Sequence, residues 1–225
     1  MHHVMTTRMA SFMAAFAVGA LLLVSLVAST SILALKLRLR ESFEKRIAMA
    51  AVLSQLILAP VSLALLLILL PEVLLNVKAL VSPLSLAVIA CCGLVGVFSS
   101  ILFSDTHHPV EVLGTRILLP TAILVAPVFE ESCFRGLLLL GMASFIGWAP
   151  AVIVSSFIFT VLHAQALPRK CLPVILVLSL LLSIPPLALS SIVPSMIAHS
   201  TANGTSILTG KLLLRAQEGV EESVL

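Results

Sequence analysis

Two adjacent carboxylates, Glu130 and Glu131, and a guanidinium, Arg135, interrupt an otherwise apolar run that begins at Ile117. A carboxylate at the centre of a bilayer costs roughly 2.5–3.5 kcal/mol on insertion scales, so two side by side require a partner, a water-filled cavity or a chemical task. Glu131 and Arg135 are four residues apart with the acid first, the order that favours an ion pair on one helical face. Glu130, turned about 100° around the helix from its neighbour, has no such local partner. Two more polar pairs follow at the same spacing: Phe159 with His163, and His199 with Asn203. A carboxylate beside a neutral imidazole can hold a water and take its proton as the water attacks a carbonyl. An imidazole N–H and an amide N–H, from His199 and Asn203, can stabilise the oxyanion that develops. Together these groups suit hydrolysis of an amide or ester within a membrane.

Each feature also has a plainer reading. Glu131 with Arg135 serves as a structural ion pair, Phe159 as packing, and an intramembrane His as an interhelical hydrogen bond. Asn203 then joins helices or marks a break before Gly204. Three such pairs together with one unpartnered acid favour the functional reading, because ionisable groups inside membranes mark working sites by default.

The elements that must position these residues are membrane helices. The 225-residue chain is 60% hydrophobic and only 10% charged, with no Tyr, and its mean hydropathy is +1.21. A soluble domain carries about 25% charged residues. Long unbroken apolar runs exclude a barrel, whose strands alternate over short segments. The net charge of +3 is small and no basic tract interleaves with aromatics, so nucleic acid is excluded as a partner. The partners expected are the lipid bilayer and a membrane peptide or protein.

Apolar runs at 9–35, 47–70, 79–103, 117–141, 148–167, 172–189 and 192–214 predict an all-α, polytopic transmembrane helical bundle of about seven spans. The chain reads as a single membrane domain, 1–225, with the catalytic core spans at 117–214. The first run is too long for a signal-peptide core and is followed by the basic KLRLRESFEKR, so it is retained. Lys36, Arg38, Arg40, Lys45, Arg46, Arg116, Arg169, Lys170, Lys211 and Arg215 fall on one side if seven spans alternate, and Arg8 and Lys78 on the other. That asymmetry predicts an N-terminus outside and a cytoplasmic C-terminus. Pro127 is placed to kink the fourth span, and Pro185-Pro186 to break the sixth late. The four cysteines show no metal spacing and read as small free hydrophobes. His107 and His108, in the polar stretch 104–116, read as solvated rather than ligating. Counting rise per residue puts Glu130 roughly 20 Å from the cytoplasmic end of its span and His163 only roughly 10 Å from Arg169, a mismatch in depth.

The chemistry-bearing residues resemble the CAAX-protease and bacteriocin-processing (CPBP) intramembrane proteases, also called the Abi or type II CAAX prenyl endopeptidase family. The likeness rests on Glu-Glu-x-x-x-Arg with its flanks (Ala126, Pro127, Glu130, Glu131, Phe134, Arg135, Gly136), on Phe-x-x-x-His at Phe159 and His163, and on His-x-x-x-Asn at His199 and Asn203. It covers about 117–214. The resemblance implies a helical membrane protease that cleaves near a substrate's C-terminus or within a membrane-associated peptide, prenylated where the host prenylates proteins. It implies Glu130 as general base with His163, and His199 with Asn203 at the oxyanion. The family has been described both as glutamate-type and as metal-dependent. Glu130, His163 and His199 would be the three ligands of a zinc site, yet no His-Glu-x-x-His is present, and metal-free water activation is favoured. The sixth span departs from the pattern: glycines common in relatives are replaced by Pro185-Pro186. Two other functions compete, a non-catalytic membrane scaffold or immunity protein of the same family and a proton-coupled transporter. The full set of proposed catalytic residues argues against the first, and the lack of repeats or a second buried acidic cluster against the second.

Overall fold

The computed structural model describes residues 2–36, 43–103, 118–164 and 167–224. Among these residues the regular elements are helices and turns, without strands. Helix α1 is His2–Lys36, α2 Phe43–Leu69, α3 the short Pro71–Leu75, and α4 Pro83–Leu102, entered through a 3-10 turn at Val77–Val81. Helix α5 runs over 118–146, α6 over Trp148–His163, α7 over Leu172–Leu182, α8 over Ile184–Leu189 and α9 over Val193–Val224. Lipid offers the backbone no hydrogen bonds, so each apolar run closes its own. Local signals fix the ends: Ser82 caps α4 by accepting the Ser85 N–H at 3.1 Å, with Pro83 in the first turn. The break predicted near Pro185-Pro186 falls between α7 and α8.

Among the described residues four stretches are long and apolar enough to cross a membrane: Arg8–Leu33, Met49–Leu69, Pro83–Leu102 and Arg169–Leu189. The protein is a multi-pass integral membrane protein with an all-α bundle fold. Each of the seven predicted runs is largely helical, but seven full spans do not follow. Helix α6 has 16 residues, about 24 Å at 1.5 Å per residue, against a hydrocarbon core about 30 Å thick. Pro60 lies inside an unbroken α2. His107, His108, Arg38, Arg40 and Arg116 lie outside the described residues.

Helix α5 is the centre of the bundle and is irregular. Its winding is α at Leu118–Pro120, π at Thr121–Val125, α at Ala126–Glu131, π at Ser132–Leu139 and α again at Leu140–Ile146. Pro127 has no N–H to give, and just before it the Ala126 N–H reaches the Thr121 carbonyl, five residues back. The wider turn absorbs the disruption that a proline introduces. Phe129, Cys133, Arg135, Leu137 and Leu139 are all fully buried. On one side α1 comes so close that a Cβ on Gly141 would lie 2.7 Å from the Phe16 backbone nitrogen. On another, Ser155 of α6 donates to the Phe134 carbonyl at 3.2 Å. A second apolar cluster joins α4, α7 and α9 through Val88, Cys92, Leu178, Leu182, Ala198 and Ala202. Among the four cysteines, all free, Cys91 is exposed and the other three are buried.

Candidate active site

The irregular α5 presents its two carboxylates to different neighbours. Glu131 is fully buried, and its Oε2 lies 3.3 Å from Arg135 Nε on the next turn. Arg135 Nη2 in turn donates to the carbonyl and hydroxyl oxygens of Ser179 on α7, at 3.0 and 2.8 Å. The guanidinium lies 4.4 Å from the centre of the Phe159 ring, a cation–π contact in a desolvated place. The expected ion pair is therefore present, and it is tied to two further helices.

Glu130 is 6% exposed. Its Oε1 accepts a hydrogen bond from Gln55 Nε2 of α2 at 2.6 Å. Its Oε2 faces two imidazoles, His163 Nε2 at 3.8 Å and His199 Nε2 at 3.6 Å, and accepts no hydrogen bond among the described residues. The partners of the other ring nitrogens decide the tautomers. His163 Nδ1 lies 2.8 Å from the Phe159 carbonyl, which can only accept, so Nδ1 carries the proton. His199 Nδ1 lies 2.8 Å from Glu131 Oε1, and the carboxylate held by Arg135 fixes the same tautomer. In their neutral forms both imidazoles thus turn an Nε2 lone pair towards Glu130. Three acceptors converge on one spot, an arrangement suited to receiving a proton-bearing group.

The mismatch in depth expected from counting residues does not keep the two groups apart, since His163 Nε2 comes within 3.8 Å of Glu130 Oε2. Phe159, fully buried, packs its ring 4.3 Å from that of His163 and 5.8 Å from that of His199. His163 is the open side of the site, its side chain 26% exposed against 3% for His199.

Asn203 bonds to the backbone of α5. Its Nδ2 donates to the Ala122 carbonyl in the first π turn of α5 at 2.9 Å, not to either carboxylate. Two contributors escaped the reading of the sequence, Gln55 and Ser179. Gln55 carried a signal, as the only amide or charged side chain between residues 47 and 70. Ser179 carried none, since serines are scattered through every span. The donor set of Glu130, His163 and His199 is one that zinc accepts, but among the described residues no three His, Cys, Asp or Glu side chains have the arrangement to hold a metal ion.

Residues 112–205 match the family model Type II CAAX prenyl endopeptidase Rce1-like. The matched segment runs from just before α5 to the middle of α9 and contains both carboxylates, Arg135, Phe159, both histidines and Asn203. The resemblance read from the motifs holds, and the Rce1-like segment supports a protease. No curated protein and no solved structure matches the chain. Gln55 lies outside the Rce1-like segment, on a helix that the match does not reach.

Proposed function

We propose that this protein is an intramembrane endopeptidase that hydrolyses a peptide bond of a membrane-associated substrate, with Glu130 as general base. The observation that carries the reading is Glu130 Oε2, buried and faced by imidazoles from two other helices. A water between Oε2 and the substrate carbonyl gives a proton to Glu130 as its oxygen bonds to the carbonyl carbon. That proton passes to Nε2 of one imidazole and then to the leaving amide nitrogen as the C–N bond breaks. Once protonated at Nε2, the imidazole gains the N–H that its neutral tautomer lacks, so it stabilises developing negative charge only after the first proton transfer. Asn203 keeps a second amide hydrogen beyond its bond to Ala122, and we assign it to the oxyanion with His199. Glu131 and Arg135 hold His199 in its tautomer, and Phe159 holds the plane of the His163 ring.

The substrate class is a peptide presented at the bilayer near its C-terminus, of the CAAX type where prenylation occurs. The test is cleavage of membrane-anchored peptides by purified protein in liposomes. Glu130→Gln and His163→Ala are expected to abolish it, and mass spectrometry of the products identifies the bond cut. Cleavage that persists in strong chelator supports the metal-free mechanism, and cleavage lost in chelator and restored by zinc overturns it. Undiminished cleavage by Glu130→Gln would remove the general base and the reading with it.

A further inference from the structure

Helix α2 contributes one described side-chain bond to another helix, and it goes to the acid at the centre of the site. Its other described polar side chains do not do this: Ser62 donates to the Ala59 carbonyl of its own helix at 2.9 Å, and Ser54 Oγ is buried without a partner among the described residues. Gln55 is itself only 9% exposed, and leaving its amide there without hydrogen bonds would be unfavourable. The bond is short, and it ends on the oxygen of Glu130 for which no imidazole contact is described. A carboxylate with one oxygen held cannot rotate freely, so the other oxygen has a fixed direction.

We propose that Gln55 is a positioning residue of the active site: by holding Oε1 of Glu130 it aims Oε2 at His163 and His199, where the attacking water must sit. The proposal rests on the endopeptidase reading and extends it to a helix outside the Rce1-like segment. The surroundings leave this task to Gln55. Glu131 is engaged by Arg135 and His199, Cys133 Sγ points to the Gly19 carbonyl at 3.5 Å, and both imidazoles offer lone pairs rather than N–H groups to Glu130. Among the described residues the amide of Gln55 is therefore the hydrogen-bond donor that fixes this carboxyl group. Helix α2 becomes part of the catalytic machinery through a single amide.

The test uses the full chain in liposomes at one fixed pH, with Gln55→Met as a near-isosteric variant that lacks the donor. Gln55→Asn, which keeps the amide but falls short of Glu130 by a methylene, serves if the Met variant does not fold. The expected result is a roughly ten-fold fall in kcat with KM unchanged, the size of losing one hydrogen bond to a charged group. Independently of cleavage, the infrared band of the Glu130 carboxyl group, assigned by its disappearance in Glu130→Gln, is expected to shift when the donor is removed. An unmoved band overturns the proposal whatever the activity does, and so does a fall confined to KM. A band that shifts in the variant, together with a wild-type protein that cleaves nothing, overturns the endopeptidase reading and the catalytic role of Gln55 together. The infrared result separates that failure from a misplaced Gln55.

Discussion

Where α9 crosses α4, small residues let the two backbones approach. Thr205 Oγ1 donates to the Gly93 carbonyl at 2.9 Å, and Ser100 Oγ to the Ser206 carbonyl at 2.6 Å. Where the same helix meets α5, the contact is His199 against two carboxylates, one of them paired with a buried guanidinium. Both interfaces join helices in an apolar medium; the first does so by close packing and hydroxyl-to-carbonyl bonds, whereas the second adds buried ionic groups to the amide-to-carbonyl bond from Asn203 to Ala122. Replacing a buried ionic group with apolar residues is often neutral or stabilising. The buried ionic groups of the α9–α5 contact are thus weak evidence for a stabilising role, and their convergence on one point suits the proposed chemistry. One helix thus carries a face that holds the bundle and a face that serves the site.

That contrast can be broken in four ways, with different readouts. The largest expected effect is on activity: Glu130→Gln should lower cleavage by about 10²–10⁴-fold, the range for a general base, while the detergent melting temperature stays level or rises. A large loss of stability in that variant would make Glu130 structural and erase the distinction between the two faces. Next is Arg135→Leu, which strands Glu131 without its cation and should destabilise by about 3–5 kcal/mol, read as a fall in melting temperature or failure to accumulate. The double variant Arg135→Leu with Glu131→Leu should recover most of that loss without recovering cleavage. Gly96→Val probes the packed face, because even a Cβ there runs into the Ala202 carbonyl oxygen and Thr205 Oγ1. It should destabilise by about 1–3 kcal/mol and leave the kcat of the surviving folded fraction near wild type. Smallest is Thr205→Val, expected to lose about 0.5–1.5 kcal/mol in the same melting assay, with activity unchanged.

The two faces also differed in how legible they were. The carboxylates, the histidines and Arg135 stood out because charge and imidazole are rare within spans, and i,i+4 spacing fixes which of them share a helical face. The ion pair from Glu131 to Arg135 and the all-α membrane architecture could be read this way. The α4–α9 packing could not, since Gly93 and Gly96 in an apolar run do not name the helix they meet. Ser179 was hidden for the same reason: its role exists only because α7 passes Arg135. Asn203, paired by spacing with His199, is bonded to Ala122 instead, because the π turn at Thr121–Val125 brings a backbone carbonyl within its reach. The span count could not be read from apolar runs alone, since α6 is helical but only about 24 Å long.

Composition and spacing alone determined that the chain lies in a membrane, that it is helical, and which acid lacks a partner on its own helix. Those properties follow from transfer energies and helical periodicity, which act within a single segment. Only the tertiary structure decided that His163 reaches Glu130, that both imidazoles present lone pairs, and that Gln55 from a distant helix takes the remaining carboxylate oxygen. Each of these depends on which helices pack side by side, and contacts between segments 75 residues apart in sequence leave no local trace.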